Sequence, residues 1–306
     1  MAAMTFRSSR TALRSFVAGA DDGGQRLDHF LRGRLPELSR RALLEHFGAG
    51  QVRVNGRVAL KSTLLQAGDR VEVLGLAQET GLAPDPSLTL QVLYEDRFLV
   101  AVDKPGHMPS HALRAGETGT VASALLARYP EMHGVGYREL EAGLLHRLDN
   151  ETSGILLAAR DASTFELLRT AHERGRIEKR YLALVSGHPS VQVAHGYLRA
   201  DRRKVRVRSQ MFPDAKPVAT EIVSSEPHHE HALVCVRLQL AARHQVRAHL
   251  AHLGHPIAGD ALYGGSPLPG LTRHFLHASE LRLEHPHTGA ALQLRAELPA
   301  ELRALL

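Results

Sequence analysis

The stretch HRLDNETSG, residues 146–154, places one aspartate, Asp149, in a polar turn directly ahead of the apolar run ILLAA, residues 155–159. A carboxylate at the mouth of a strand, partly shielded from water and within reach of a donor such as Arg147, is a candidate nucleophile or base. The same residues are also compatible with a structural turn that begins at an aspartate and closes with a Ser-Gly pair. The other motifs of the chain have to decide between these two interpretations.

The composition is that of an ordinary globular protein. With 306 residues and 43% hydrophobic content, the chain can bury one large core, or a large core and a small module. Its sequence contains no apolar run as long as a membrane span, and residues 1–20 lack the apolar centre of a secretory signal, so we expect a cytoplasmic protein without membrane association. The single cysteine, Cys235, excludes an internal disulfide and is predicted to be a small core residue.

Positive charge is concentrated in two places. The net charge is +6, and residues 1–61, with 11 basic and 5 acidic side chains, carry an excess of the same size. A second basic stretch, RRKVRVR at residues 202–208, alternates charge with valine as a strand with one basic edge would. Two arginine-rich surfaces favour contact with phosphates, so we expect a polyanionic partner.

Residues 25–75 have the pattern of a small α/β module. Apolar spacing predicts a helix over residues 27–35, Ser39 is suited to cap a second helix that ends at Gly48, and Asn55-Gly56 predicts a hairpin turn. This order resembles the small RNA-binding domain first named for ribosomal small-subunit protein S-four. The resemblance implies that arginines of the module bind RNA, and the candidates are Arg26, Arg40, Arg41, Arg53 and Arg57.

The module is flanked by two segments with little periodicity. We expect residues 1–24 to form a basic, disordered leader, for which an organelle transit peptide is the alternative, and residues 76–88, with their glycines and prolines, to form a linker. Residues 89–306 are then predicted to form a second, larger domain that contains Asp149.

A strand predicted over residues 177–186 places Lys179 and Tyr181 on one face, because alternate side chains of a strand point the same way. An aromatic hydroxyl beside an ammonium group can stack on a flat ring and exchange a proton. A core tyrosine with a hydrated hydroxyl fits the same pattern, so the residues alone leave both interpretations open.

A helix is predicted after His244. Val246, Leu250 and Leu253 form an apolar stripe, and Gly254 follows as a stop. On the adjacent polar face, Arg247 is either the partner of a buried carboxylate or a surface arginine.

Taken together, the motifs of this chain resemble those of the RluA family of RNA pseudouridine synthases. Any one of them is weak, but their order and compatible spacing over about residues 89–300 make the match specific. The motifs are HRLD (146–149) with TSG (152–154), KRY (179–181), HQVR (244–247), PIAGD (256–260) with YG (263–264), DKP (103–105), KP (216–217), LHA (276–278) and HP (285–286).

The resemblance implies a fold and a reaction. The fold is of the α+β class, with a central mixed, largely antiparallel sheet flanked by helices and loops. The reaction isomerises uridine to pseudouridine in RNA and needs neither a cofactor nor a metal. Asp149 is implied to be the catalytic nucleophile, Tyr181 to pack on the target uracil and help its proton leave, and Arg247 to pair with the Asp149 carboxylate. The further RNA contacts predicted in this domain are Arg147, which would enter the RNA where the uridine is extruded, and His146, Lys179 and His244.

The chain departs from the family pattern at one place. Ala241, Ala242 and Arg243 precede the HQVR motif, where the family usually has Gly-Arg-Thr. The usual arginine and threonine contacts with RNA are therefore displaced or missing there, while the nucleophile is unaffected.

Three other functions were considered for this sequence. Its 20 histidines suggest a metal enzyme, but their spacing lacks a one-turn helical pair with a suitable carboxylate, and cysteine ligands are missing. A non-catalytic RNA-binding protein would use the same basic surfaces. A hydrolase with Asp149 as its nucleophile would need a second acid or base, and the neighbouring Glu151 is expected to point outward.

Two classes of RNA are candidate targets. The added RNA-binding module favours large-subunit ribosomal RNA, and transfer RNA is the alternative, because both offer loop uridines that can be flipped out. A monomer is the simplest expectation for a protein whose partner is a large folded RNA.

Overall fold

The computed structural model describes residues 11–36, 38–77, 81–201, 203–213, 215 and 217–306. Lys216 of the KP motif and Arg202 of the second basic stretch lie outside the described residues. The chain divides into two compact units, Met1–Thr80 and Gly81–Leu306. The predicted α+β class is confirmed, because each unit combines a β-sheet with short helices.

In the described part of the first unit, four strands form an antiparallel sheet that is accompanied by two helices. The Ser39 hydroxyl accepts the Ala42 amide and caps the second helix, and Asn55 and Gly56 have positive φ in the hairpin turn, as the sequence predicts. The sheet has the order β1-β4-β2-β3. The elements are β1 (Thr11–Val17), α1 (Leu27–Arg34), α2 (Arg40–Gly48), β2 (Val52–Val54), β3 (Arg57–Val58) and β4 (Arg70–Ala77).

The predicted bounds of the two flanking segments are wrong. Residues 11–24 are not a disordered leader, because β1 pairs antiparallel with β4 and places Phe16 beside Val71. The linker does not begin at residue 76, because β4 continues to Ala77, and Leu82 is already buried in the core of the second unit. The partner of β1 lies far away in the sequence, so no local pattern signals this strand. The arginines of residues 1–10 lie outside the described residues.

The described part of the second unit is built around one large sheet. Its strands are β5 (Gln91–Glu95), β6 (Leu99–Lys104), β7 (Ser153–Ala159), β8 (Glu178–Ser186), β9 (Gln192–Asp201), β10 (Lys204–Arg208), β11 (Pro217–His228), β12 (His231–Leu238), β13 (Leu276–Glu284) and β14 (Ala291–Arg295). Its helices are α3 (Val121–Arg128), α4 (Ala162–Glu173), α5 (Gln245–His252) and α6 (Ala300–Arg303). The predicted strand over residues 177–186 is β8, and the helix predicted after His244 is α5.

The strands of this sheet follow the order β10-β9-β11-β12-β8-β13-β7-β6-β5, and β14 pairs with β13. Among the pairs in the described residues, β7 and β13 are parallel and the others are antiparallel. The prediction of a mixed, largely antiparallel sheet is therefore confirmed.

The turn that carries Asp149 leads directly into the middle of this sheet. β7 is buried along its whole length, between β6 on one side and β13 on the other, which explains the uninterrupted apolar run that follows the turn. Gly154 has a φ of 114°, and a Cβ at this position would overlap the backbone of Ala278 in β13. Glycine is therefore required for the close approach of the two strands.

Substitution of Gly154 by alanine is expected to destabilise the second unit by more than about 3 kcal/mol, since the new methyl group meets the β13 backbone and the φ is strained for any L side chain. Gly134→Ala is the matched control, because Gly134 also has a positive φ but open space at its Cβ position, and it should cost about 1–2 kcal/mol. Chemical denaturation of both purified variants measures the difference, and equal losses would contradict the argument.

Candidate active site

Asp149 and Arg247 meet in a cavity of about 600 Å³ within the second unit. The cavity is also lined by Arg147, Arg243 and His244. The Arg247 Nη1 donates to the Asp149 Oδ2 at 2.8 Å, although the two residues are 98 positions apart in the sequence. The structure thus brings together the two residues that the sequence analysis pairs, and it surrounds the carboxylate with basic side chains.

A second carboxylate holds Arg247 in place. Asp260 is 2% exposed and accepts two hydrogen bonds from the guanidinium group, from Nε at 2.7 Å and from Nη2 at 2.8 Å. Burial acts to lower the pKa of Arg247, but its hydrogen bonds and charge interactions with Asp260 and Asp149 outweigh burial and raise that pKa. Arg247 is therefore a fixed cation whose Nη1 is directed to Asp149. Sequence reasoning quoted Asp260 within the PIAGD motif but gave it no role.

Tyr181 lies beside Asp149 in a smaller cavity of about 50 Å³, which Arg247 also lines. Burial, and then the charge of Asp149, raise the pKa of Tyr181, so its hydroxyl keeps its proton at neutral pH. The alternation along β8 turns both Lys179 and Tyr181 inward, as the sequence predicts. Of these two side chains, Tyr181 lines the cavity and Lys179 does not.

Lys104 stabilises the turn that carries Asp149. The Lys104 side chain is completely buried, and its Nζ donates to the carbonyls of Pro105 and Met108, both at 2.8 Å, and of Asn150 at 3.0 Å. Burial lowers the pKa of Lys104 to about 7. Because Asn150 directly follows Asp149, this contact orients the turn. Sequence reasoning listed the DKP motif without assigning Lys104 this contact.

Two further side chains fix the ends of the turn. The Ser110 Oγ accepts the Leu148 amide at 3.0 Å and donates to the Leu148 carbonyl at 2.9 Å. Arg273, also buried, donates through Nη1 to the Glu151 carbonyl at 2.8 Å. Sequence reasoning missed both residues, because neither lies in the stretch that carries Asp149.

Glu151 lies at the rim of the cavity with its side chain about half exposed. Its Oε2 is 3.0 Å from the His274 Nδ1, and this interaction lowers the pKa of Glu151 to about 2. A carboxylate that stays ionised and paired cannot serve as a general acid near neutral pH. Glu151 therefore cannot supply the general acid for the hydrolase alternative.

One of the predicted RNA contacts is wrong. Lys179 is 2% exposed, its Nζ donates to the Gln239 carbonyl at 3.3 Å, and burial lowers its pKa to about 7. His146 is half-buried, its Nε2 accepts the Leu157 amide, and burial lowers its pKa well below the usual value, while its contact with RNA stays a prediction. Neither side chain lines the cavity. A short motif does not reveal whether each of its side chains points to the surface or into the core, so Lys179 was assigned to the wrong environment.

The other predicted RNA contacts remain available to solvent or to the cavity. Arg147 is exposed at the cavity, and His244 lies in its wall. In the first unit, all five candidate arginines are exposed, and two of them form surface ion pairs, Arg26 with Asp28 and Arg41 with Glu45. Their contact with RNA stays a prediction.

The segment that departs from the family pattern forms part of the cavity walls. Ala241 and Ala242 line the smaller cavity, and Arg243 lines the larger one. The Arg243 Nη2 donates to the Arg203 carbonyl at 3.0 Å, beside the start of β10. Arg243 therefore supplies a positive charge at the cavity, next to the second basic stretch.

Within the described residues, no three or more histidine, cysteine, aspartate and glutamate side chains are grouped so that they could bind a metal ion. The helices in the described part of the chain are too short or too polar to cross a membrane.

The chain is similar to known proteins over most of its length. The family model for RNA pseudouridylate synthase matches residues 98–252. Ribosomal large subunit pseudouridine synthase D of Xanthomonas campestris pv. campestris is 32% identical over 97% of this chain and 92% of its own length. An uncharacterized RNA pseudouridine synthase of Chloroflexus aurantiacus is 36% identical over 92% of this chain and 89% of its own. The solved structure of human RNA pseudouridylate synthase domain containing 4 shares the fold, with a TM-score of 0.55 and 24% identity over 70% of this chain and 91% of that one.

The chain therefore belongs to the RNA pseudouridylate synthase family. It is an isomerase that converts uridine to pseudouridine in RNA.

Lys179→Met is expected to stabilise the protein by about 2 kcal/mol at pH 7 and to leave its affinity for RNA unchanged, because the buried amine makes one weak hydrogen bond. Burial lowers the pKa of Lys179 from 10.5 to about 7. Between pH 7 and pH 10.5 the unfolded protein therefore binds more protons at this lysine than the folded protein does. The free energy of unfolding of the parental protein consequently rises with pH over this range. The free energy of unfolding of Lys179→Met should lack this contribution and rise less with pH. Urea denaturation at pH 7 and pH 9 tests it, with Lys204→Met on the partly exposed β10 as the control that should keep the pH dependence.

Asp260→Asn is expected to lower kcat about 100-fold with a smaller effect on KM, and to cost about 3 kcal/mol of stability, because it leaves the buried Arg247 with a single carboxylate. Glu297→Gln, which breaks an exposed ion pair with Arg303, is the control and should change either quantity little. Steady-state kinetics and thermal unfolding measure both effects. A parental kcat in the Asp260 variant would show that Arg247 does not depend on this carboxylate.

Proposed function

We propose that this protein isomerises specific uridines in large-subunit ribosomal RNA, with Asp149 as the catalytic nucleophile. The proposed substrate is supported by relatives from Xanthomonas campestris pv. campestris and Escherichia coli K12, which are named for it and match more than nine-tenths of the chain. The single observation that carries the proposed mechanism is the 2.8 Å ion pair of Asp149 with Arg247 in a cavity lined by basic side chains.

The isomerisation breaks the N1–C1′ bond of uridine, turns the detached uracil and forms a C5–C1′ bond. The C5 proton leaves and N1 gains a proton, so the reaction involves no net oxidation and consumes no water. No cofactor is needed for this balance. The Asp149 carboxylate serves the reaction by attack on the ribose C1′, by attack on the uracil ring, or by stabilising a cationic sugar.

The neighbours of Asp149 have separate roles in the proposed reaction. Arg247, fixed by Asp260, binds the Asp149 Oδ2 and leaves Oδ1 as the attacking oxygen. Tyr181 packs against the extruded uracil and takes part in the departure of the C5 proton. Because its pKa is raised, it enters the reaction as the neutral phenol.

The uridine must leave its stack to reach Asp149, at a cost of roughly a few kcal/mol. Arg147 enters the RNA at the vacated position, and the exposed arginines of the first unit hold phosphates. These contacts offset the cost of extrusion. The protein acts as a monomer in the cytoplasm, where its large RNA partner is assembled.

Asp149→Asn is expected to lower the rate of isomerisation by roughly 10⁴-fold or more, because an amide cannot act as the nucleophile, while RNA affinity stays within about twofold of the parental value. Single-turnover assays on ribosomal RNA and a binding titration measure the two quantities. A variant that isomerises at the parental rate would overturn Asp149 as the nucleophile, and a parental protein that binds RNA without isomerising it would favour the non-catalytic alternative.

The RNA target is tested by mapping pseudouridines across total RNA from cells with and without the gene. The expected result is the loss of a small number of sites in large-subunit ribosomal RNA, restored by the parental gene and not by the Asp149→Asn gene. Loss of sites in transfer RNA instead would overturn the proposed substrate and leave the reaction intact.

A further inference from the structure

His244 connects Asp149 to a partly buried hydrogen-bond chain. Its Nε2 lies 3.8 Å from the Asp149 Oδ2, and its Nδ1 lies 3.1 Å from the Tyr263 hydroxyl. That hydroxyl accepts the Val205 amide of β10 at 2.7 Å. The imidazole ring therefore has one nitrogen in the cavity wall beside Asp149 and the other tied to the protein.

The contacts of Tyr263 determine which nitrogen of His244 carries the proton. Its hydroxyl oxygen already accepts the Val205 amide, and the described residues offer its hydrogen no acceptor other than the His244 Nδ1. Nδ1 is therefore the acceptor, and the neutral ring carries its hydrogen on Nε2. An N–H donor thus faces the cavity beside the nucleophile.

The backbone at His244 is held in a conformation that side chains rarely adopt. Its φ of 54° and ψ of 18° are left-handed, at the position that begins α5. The next residue, Gln245, locks this turn, because its Oε1 accepts the Ala242 amide and its Nε2 donates to the Ala219 carbonyl, both at 2.9 Å. A strained backbone that is held by a fixed neighbour in this way is typical of a residue whose side chain is positioned for a function.

The charges around His244 favour its neutral form. Burial lowers the pKa of His244, and the nearby Arg247 and Arg243 cations add to this, against the opposite effect of the Asp149 and Asp260 carboxylates. The imidazole is therefore uncharged at neutral pH, in agreement with the hydrogen-bond pattern.

We propose that His244 is a further catalytic residue: Tyr263 holds its ring as the Nε2–H tautomer, and this N–H donates a hydrogen bond to the uracil as negative charge develops on the ring during cleavage of the N1–C1′ bond. The hydrogen stays on Nε2, so no proton is transferred in this step. A uracil bound against the Asp149 carboxylate lies beside this donor, because the His244 Nε2 and the Asp149 Oδ2 are 3.8 Å apart. A neutral donor that is fixed before the reaction stabilises charge that forms in a shielded site. The inference rests on the proposed function and specifies the predicted RNA contact of His244 as a contact with the target uracil.

The kinetic test uses the full-length protein and the RNA fragment that the parental protein isomerises. His244→Ala is expected to lower the single-turnover rate about 100-fold without changing RNA affinity. His244→Gln, whose amide N–H can occupy the position of Nε2–H, should recover at least part of that loss, and Tyr263→Phe should lower the rate several-fold. His252→Ala, at the exposed end of α5, is the matched control and should leave the rate unchanged.

The spectroscopic test determines which ring nitrogen of His244 carries the hydrogen. In protein with ¹⁵N-labelled histidine, the His244 ring signals, identified by their loss in His244→Gln, should show hydrogen on Nε2 at pH 7 in the parental protein and a shift toward mixed tautomers in Tyr263→Phe. Hydrogen on Nδ1 in the parental protein, or a parental rate in a folded His244→Ala, would overturn this inference alone. A parental protein that isomerises no RNA would overturn the proposed function, and this inference with it.

Discussion

The guanidinium group of Arg247 lies between two carboxylates, and the active site depends on this arrangement. A buried cation is costly unless its donors are satisfied and its charge is balanced. Asp260 accepts two of the guanidinium donors in a bidentate pair, and the third bond goes to Asp149. Because Asp260 follows α5 and Asp149 precedes β7, this one side chain ties together two segments that are distant in the sequence. The Asp149 carboxylate is positioned by tertiary structure rather than by its own turn alone.

The opposite side of the same turn is held by cations that bind carbonyls. Lys104 and Arg273 are both buried, and they donate to the carbonyls of Asn150 and Glu151, the two residues that follow Asp149. Arg273 also donates to the Glu301 carboxylate of α6. Asp149, the proposed nucleophile, is therefore fixed from both sides before substrate binds, which lowers the reorganisation that the proposed reaction requires. Each buried cation costs stability on its own, and the hydrogen bonds to the turn offset part of that cost.

Much of the architecture could be predicted from local patterns in the sequence. The helix cap at Ser39, the Asn55-Gly56 turn and α5 follow from capping, turn chemistry and apolar spacing, which act between neighbouring residues. β1 could not be predicted in this way, because its pairing partner β4 is far away in the sequence. A short strand whose stability comes from a distant partner leaves little signal in its own residues.

The sequence by itself determined the α+β class, the family resemblance and the pairing of Asp149 with Arg247, since ordered motifs at compatible spacing record the chemistry that a site needs. Only the tertiary structure decided that Lys179 is buried away from the cavity, that Asp260 holds Arg247, and that Tyr263 orients His244. The physical reason is the range of the interactions. Periodicity and turn propensity act over a few residues, whereas burial, ion pairing and the tautomer of an imidazole depend on which distant side chains the packed sheet brings into contact.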